Sequence, residues 1–172
     1  YGPIPIPTLE DLKNPLDEVI EPRATQEEMT NFIETELTES LKGLPTRTTQ
    51  FGRFDKGLAY TILMKYYMHE KNWAKAEECG RELLKAEYGY GLMDRYADIF
   101  TLENEGNKEI IFACTEERGT NLQLWHDHAL PGNYPTKNAS IQKWDGYKVP
   151  WPFYRTFEEG DDRLSVLVGE YV

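Results

Sequence analysis

The sequence predicts a mainly α-helical protein that is built from paired helices, with one or two short strands and long aromatic loops. Three observations predict this class. Apolar residues recur at helical spacing from about residue 25 to residue 84, two of the predicted helices are joined by barely two residues, and the periodicity disappears after about residue 116. A chain of 172 residues, 40% of them hydrophobic, is long enough to form a substantial core.

Residues 1–24 are predicted to form an extended lead-in because they contain five prolines. Proline lacks a backbone N–H and favours extended geometry in the residue before it, so this segment is not expected to be a separate domain. The first helix is predicted to begin at Thr25, because Thr25 and Glu28 have the spacing of a capping box. Gly43 and Pro45 are expected to end it. Its apolar face comprises Met29, Phe32, Ile33, Leu37 and Leu41.

Two further helices are predicted, one from about Arg53 to Glu70 and one that follows Asn72 as its cap. So short a link requires the two helices to lie antiparallel. Small residues that are expected to let the two backbones approach are Ala59, Ala76 and Gly80, with Tyr66 and Trp73 filling the space around them.

This alternation of small and bulky residues is typical of tetratricopeptide-like helix pairs. Such repeats have a period of about 34 residues, which is also the distance along the chain from Phe32 to Tyr66. We therefore expect the region 25–100 to be tetratricopeptide-like.

The region 101–172 is predicted to hold a short strand and an aromatic loop. The run EIIFACT at 109–115 is rich in β-forming residues and flanked by charge, and the run LMDRYADIF just before this region predicts a short helix. From about residue 116 to residue 152 no periodicity is visible. Aperiodic segments of this length inside compact domains are usually functional or disordered, and the aromatic content argues against disorder.

The two cysteines predict no specific chemistry. Cys79 falls in a helix and Cys114 in the predicted strand, and both are expected to be buried thiols. A disulfide remains an alternative for a protein outside the cytoplasm.

The net charge of −11 excludes two classes of partner. An acidic surface repels phosphate backbones and anionic membranes unless a basic patch offsets it, and the sequence contains no such patch. We therefore expect no nucleic-acid partner. The sequence also lacks a run of about 18 apolar residues, which a membrane-spanning helix requires.

The aromatic loop is the candidate ligand site. Sugar receptors need flat aromatic rings for the apolar faces of the sugar, and amide or carboxylate groups for its hydroxyls. The candidate ligand-binding residues are Trp125, Asn121, His126, Asp127, Tyr134 and Trp144. Trp125 is the best candidate because its neighbours are polar, whereas Trp151 and Phe153 are expected to pack. An alternative interpretation is that the tryptophans only anchor the loop to the helices.

Metal and catalytic chemistry are weakly supported. His126 and His128 would share one face of a strand, as in zinc sites, but no third and fourth ligand is visible. Asp161 and Asp162 are adjacent acids beside Arg163, which is a common surface pairing. No nucleophile elbow, phosphate loop or dinucleotide fingerprint occurs, so we expect neither an enzyme nor a cofactor.

Several segments follow one another in the order YGPIPIP, PRATQEEMTNFIETELTESLKGLP, GRFDKGLAYTILMKYYMHEKNWAKAEECGRELLKAEYGYGL, YADIF, NKEIIFACT and KWDGYKVPWPFYRTFEEGDDRL. This order resembles the SusD/RagB family of nutrient-binding outer-membrane proteins. The last of these segments carries an ending similar to the family's, at Phe157, Asp161, Asp162 and Arg163. Trp144 falls in this family-like framework. The likeness extends over nearly the whole chain, which corresponds to a middle portion of such proteins.

The resemblance implies a helical fold with tetratricopeptide-like pairs and a non-catalytic role. It implies capture of a glycan or oligosaccharide for a SusC-like TonB-dependent transporter, by a surface-exposed outer-membrane lipoprotein whose lipid anchor lies outside this chain. A different class of function stays open from the residues themselves. In that alternative, the helix pairs form a tetratricopeptide-type adaptor that binds another protein and no sugar.

Overall fold

The computed structural model describes residues 2–13, 16, 22–116, 124–167 and 169–170. Contacts divide the chain into two compact units, Tyr1–Gly89 and Tyr90–Val172, which we call unit 1 and unit 2. The α-helices are α1 (Leu9–Lys13), α2 (Gln26–Gly43), α3 (Lys56–His69), α4 (Trp73–Leu83), α5 (Trp125–Ala129) and α6 (Trp151–Tyr154). Short 3₁₀ helices span Ala86–Tyr88, Tyr96–Phe100, Leu102–Asn104 and Asp162–Val166. The prediction of a mainly helical protein is confirmed.

None of the helices in the described ranges has the length and apolar character needed to cross a membrane. Within the lead-in, the extended prediction is wrong for Leu9–Lys13, which form α1. The Thr8 N–H donates to Asp11 Oδ2 at 2.6 Å, and the Asp11 N–H donates back to Thr8 Oγ1 at 3.2 Å. This reciprocal pair is a capping box with aspartate in place of glutamate. The prediction from the sequence gave more weight to the prolines than to this local pattern.

The capping box predicted for α2 is confirmed. The Thr25 N–H donates to Glu28 Oε2 at 2.7 Å, and the Glu28 N–H donates to Thr25 Oγ1 at 3.2 Å. The two hydrogen bonds that Thr25 donates, first from its backbone and then from its hydroxyl, hold the pKa of the Glu28 carboxyl below its ordinary value. Because this pKa is lower in the folded state, the contribution to stability is present above the unfolded pKa and is lost as pH falls through the folded pKa.

The helix α3 begins at Lys56, a little later than predicted, because Asp55 caps it. Asp55 is buried, with Oδ1 accepting from the Leu58 N–H at 3.0 Å and Oδ2 accepting from the Thr48 N–H at 3.2 Å. A buried carboxylate needs such donors to offset its lost hydration. Asp55 therefore joins the segment before α3 to the start of the helix.

The link between α3 and α4 is a Schellman motif. The Asn72 N–H donates to Tyr67 O at 2.8 Å and the Lys71 N–H donates to Met68 O at 3.2 Å, while Lys71 has a φ of 59°. The Asn72 side chain then caps α4 by accepting from the Lys75 N–H, as predicted. One motif thus ends α3 and is followed at once by the start of α4, which produces a tight helical hairpin.

The core of unit 1 lies between α3 and α4. Leu63 and Tyr67 of α3 pack with Ala76 and Cys79 of α4, and Leu37 and Leu41 of α2 cover this cluster. Further contacts join α2 to the hairpin. The Tyr66 hydroxyl donates to Thr30 Oγ1 at 2.7 Å, and Lys75 Nζ lies 3.0 Å from Glu34 Oε1. Burial raises the pKa of the Cys79 thiol, which is free as expected.

Tyr88 follows α4 and is the most buried large side chain among the described residues. Its ring contacts Tyr60 edge to face, and its hydroxyl donates to Glu82 Oε1 at 3.2 Å. Burial, reinforced by Glu82, raises the pKa of this hydroxyl. Arg47 Nη1 donates to the carbonyls of Tyr88 and Gly89, at 3.0 and 3.1 Å. Arg47 therefore joins the segment after α4 to the segment before α3.

Hydrogen bonds join distant segments of unit 2. The Met93 N–H donates to Glu109 Oε1 at 2.6 Å, and the Tyr96 N–H donates to Asp162 Oδ2 at 3.1 Å. The strand predicted at 109–115 is wrong, since these residues belong to no strand. The Ile110 N–H donates to Asn107 O within a turn, so a β-rich run without a partner strand does not form a sheet. Cys114, expected to be buried in that strand, is exposed.

Replacing Lys71 with glycine should stabilise the hairpin. The residue occupies the left-handed region, where a Cβ is unfavourable and glycine is not. We expect Lys71→Gly to raise the free energy of unfolding by roughly 0.5–1 kcal/mol, measured by urea denaturation. Lys71→Ala is the matched control because it removes the charge but keeps the Cβ. A glycine variant less stable than the alanine variant would contradict the motif.

Gly80 should tolerate alanine, which is also a small residue. A Cβ built at Gly80 lies 3.5 Å from Met64 Sδ, which is an ordinary van der Waals contact. Because alanine is the better helix former, Gly80→Ala should stabilise the protein by about 1 kcal/mol. Gly80→Val is the control, since its branched side chain overfills the same space. Thermal unfolding of both variants tests this, and a loss of stability in the alanine variant would show that the helices are closer than described.

Candidate functional site

A strap of residues 144–147 is bonded to the end of α5. The N–H groups of Trp144 and Asp145 donate to Asp127 O and Leu130 O, at 2.8 and 3.0 Å. Those of Gly146 and Tyr147 both donate to His128 O, at 2.7 and 2.9 Å. The last carbonyls of a helix have no partner within the helix, so these donors satisfy them and hold the strap in place.

The strap and α5 together bring four rings into contact, which we call the aromatic cluster. Trp125 stacks on Tyr147, with ring centroids 4.8 Å apart and an interplanar angle of 22°. His128 meets Trp144 edge to face at 4.6 Å and Tyr147 at 5.2 Å. Trp125, Trp144 and Tyr147 nevertheless remain 63%, 47% and 51% exposed. The rings therefore support one another and still leave open faces.

The helix α5 also carries a buried carboxylate. Asp127 is 3% exposed, and within the described residues its Oδ1 accepts no hydrogen bond of good geometry. His126 Nε2 lies 2.9 Å from that oxygen and forms an ion pair with it when the imidazole is protonated. A buried charge without full pairing is unfavourable.

A cavity of about 570 Å³ lies beside the strap, within unit 2. Its size is in the range of small-molecule sites. Tyr147 belongs both to the aromatic cluster and to the wall of the cavity, so the two features are continuous. The described residues that line it are Ala129, Leu130, Pro131, Tyr134, Asp145, Tyr147, Lys148, Val149, Trp151, Tyr154, Val166, Leu167 and Gly169.

The cavity wall is mostly apolar and carries one ion pair. Lys148 Nζ lies 3.0 Å from Asp145 Oδ2, and both side chains are partly open to solvent. Asp145 has a φ of 54°, in the left-handed region that aspartate and asparagine adopt more readily than most residues. With its N–H bonded to Leu130, Asp145 is held in a defined orientation at the cavity.

A similar solved structure identifies the fold. Residues covering 78% of this chain match a SusD-like protein from Bacteroides fragilis, with a TM-score of 0.59 and 24% identity. The chain has the SusD-like fold. A SusD superfamily protein from Bacteroides vulgatus is also similar, with 28% identity over 54% of this chain and 20% of that one, and a TM-score of 0.48. The match covers 26% of the Bacteroides fragilis protein, so the chain spans about a quarter of its length.

No protein-family model matches the sequence, and no curated protein matches it. The likeness to the Bacteroides fragilis structure therefore carries the assignment of the SusD-like fold, which agrees with the resemblance in the sequence. Identity at this level concerns the fold and assigns no ligand.

The structure distributes the predicted site residues over this SusD-like region. Trp125 and Trp144 lie in the aromatic cluster, Tyr134 lines the cavity, and His126 and Asp127 lie side by side on α5. Asn121 lies outside the described residues. Their roles in binding stay predictions.

Several side chains of the region were missed in the sequence. Tyr147, Lys148 and Tyr154 line the cavity together with Trp151. Trp151 and Phe153 were expected to pack, and their rings do contact Tyr154 and Phe157 edge to face. Both residues nevertheless remain more than half exposed. The available signal was the run PWPFY, in which Pro150 precedes α6 and Pro152 lies in its first turn. Proline is favoured at the start of a helix, so this run predicts a short turn that presents rings.

The metal interpretation fails on geometry. His126 and His128 lie on the helix α5 and not on a strand, so residues two apart point about 200° apart around the axis. Within the ranges that the structure describes, no group of three potential ligands is suited to a metal ion.

The adjacent acids Asp161 and Asp162 form structural contacts. Arg163 Nε donates to Asp161 Oδ1 at 2.9 Å, and this guanidinium holds the pKa of Asp161 below its ordinary value. Asp162 accepts from the Tyr96 N–H, and Arg163 lies over the Phe157 ring at 5.1 Å. The family-like ending therefore joins segments of unit 2.

Removing one ring of the stacked pair should weaken unit 2. We expect Tyr147→Ala to lower the free energy of unfolding by about 1 kcal/mol, because an aromatic pair contributes that much beyond its buried area. Tyr147→Phe is the matched control, since it keeps the ring and removes only the hydroxyl. Near-ultraviolet circular dichroism and urea denaturation check this. Equal destabilisation by both variants would mean that the hydroxyl, and not ring stacking, supports the strap.

Proposed function

We propose that the aromatic cluster and the adjoining cavity bind a glycan or oligosaccharide without catalysis. The observation that carries this proposal is the set of exposed rings that border a cavity containing a few polar groups. Sugar rings have apolar C–H faces that stack on flat aromatic side chains, and hydroxyls that need donors and acceptors. The open face of Trp125 and the ring of Trp151 serve the first need, and Tyr134, Asp145 and Lys148 serve the second.

The wider role we propose is nutrient capture at the surface of the outer membrane. In this role a lipid anchor outside this chain holds the protein to the membrane, and the bound glycan passes to a SusC-like TonB-dependent transporter. The SusD-like fold and the family-like order of sequence segments support this proposal. The likeness in fold concerns about a quarter of the similar protein, so a larger protein would carry out the whole role.

One observation favours a second candidate function, the tetratricopeptide-type adaptor. Large apolar side chains on the helices of unit 1 are exposed, among them Ile62, Met68 and Trp73. Such side chains on paired helices are suited to a protein partner. In this alternative the helices bind the partner and the aromatic cluster has no ligand.

Isothermal titration with a panel of oligosaccharides tests the proposed function. We expect micromolar to millimolar dissociation constants, because an open, wet site leaves much of the sugar exposed. Trp125→Ala and Trp151→Ala should each weaken binding about tenfold, the loss of one stacked ring.

Trp73→Ala is the matched control, because Trp73 is 62% exposed, compared with 63% for Trp125, but belongs to neither the aromatic cluster nor the cavity wall. Circular dichroism would verify that each variant is folded. An absence of binding across the panel, together with a protein partner captured by the wild-type chain and lost in Trp73→Ala, would overturn the proposal in favour of the adaptor.

A further inference from the structure

We propose that the cavity of unit 2 selects uncharged sugars, and that Asp145 and Lys148 bind neighbouring sugar hydroxyls as a paired acceptor and donor. This inference rests on the proposed function, because it names the class of glycan that the same site takes. It distinguishes neutral glycans from those that carry carboxylate groups.

The charged side chains of the cavity wall neutralise each other. Among the described residues that line the cavity, the charged side chains are Asp145 and Lys148, and they pair with each other at 3.0 Å. The wall is therefore electrically balanced. An acidic sugar would place a second carboxylate beside a single ammonium group, and the two carboxylates would repel each other. The net charge of −11 adds to this repulsion during approach.

The positions of Asp145 and Lys148 are suited to two neighbouring sugar hydroxyls. The backbone hydrogen bond to Leu130 and the left-handed φ of Asp145 hold the carboxylate at the wall, and Lys148 follows three residues later. Both side chains are partly exposed, so a ligand can reach them. Each hydroxyl of a sugar both donates and accepts, and hydrogen bonds to charged groups are stronger than those between neutral groups. Two neighbouring hydroxyls can therefore bind a carboxylate and an ammonium group together without adding charge to the site.

The aromatic rings of the cavity wall favour uncharged sugar surfaces over a carboxylate. Tyr134, Tyr147, Trp151 and Tyr154 line the cavity together with aliphatic side chains. Such walls favour the uncharged faces of sugars and do not compensate the lost hydration of a carboxylate. The rings and the ion pair thus select for the same class of ligand.

The test compares two matched panels by isothermal titration against the whole chain. One panel contains mannose, glucose and galactose oligosaccharides, and the other contains the corresponding mannuronate, glucuronate and galacturonate oligosaccharides of equal length and linkage. We expect the neutral member of each bound pair to bind at least tenfold more tightly.

Two variants assign this preference to the ion pair. Asp145→Asn removes the negative charge and keeps a residue that tolerates the left-handed backbone, so the affinity for uronates relative to neutral sugars should rise at least fivefold. Lys148→Met leaves Asp145 unpaired and should weaken neutral binding about tenfold. The matched controls are Asp94→Asn and Lys137→Met, which change the net charge equally at exposed positions outside the cavity wall. Neither control should change the preference.

The outcomes separate this inference from the proposed function. Uronates that bind as tightly as neutral sugars would overturn the inference and leave sugar binding intact. An Asp145→Asn variant that changes the preference no more than Asp94→Asn does would likewise overturn the inference alone. An absence of binding to any member of either panel would overturn the proposed function, and this inference with it.

Discussion

The backbone hydrogen bonds between residues 144–147 and the carbonyl end of α5 are the constraint on which the candidate site depends. The helix α5 has five residues, too few to be stable from its own hydrogen bonds, and its last carbonyls need donors from elsewhere. The strap supplies those donors, and in doing so it sets the direction of Trp144, Asp145 and Tyr147. Without it, Trp125 would lose its stacking partner and Asp145 its place at the cavity. A set of main-chain contacts therefore determines where the side-chain chemistry lies.

The two units are stabilised in different ways. The buried apolar side chains of the described residues all lie between Ala59 and Tyr88, where α3 and α4 pack closely. In unit 2 the described residues form hydrogen bonds between distant segments and contacts between half-exposed rings. In unit 1, apolar packing joins the helical hairpin of α3 and α4 to α2. The rings of unit 2 stay open because the segments that carry them are fixed by polar contacts, and open rings are what a sugar site needs.

Several of the acidic residues cap helices or form ion pairs. Asp11 and Glu28 complete capping boxes, Asp55 caps α3 from a buried position, and Asp161 binds Arg163. Each of these carboxylates accepts hydrogen bonds that stabilise a helix start or a turn. They form contacts within the fold and are not assembled into a shared catalytic group. Asp127 differs from them, because it is buried with an oxygen that accepts no hydrogen bond from the described residues.

The sequence by itself determined the features that depend on neighbours within a few residues. The capping box at Thr25, the cap at Asn72 and the short link between α3 and α4 were all predictable, since their hydrogen bonds join residues close in the chain. The tertiary structure alone decided that residues 109–115 form no strand, that His126 and His128 point in opposite directions, and that Trp151 is exposed. A strand needs a partner from a distant segment, and the exposure of a ring depends on what packs over it, so neither is written in local spacing. The same reason explains the cavity, because Tyr134, Asp145 and Val166 meet there only after the chain has folded.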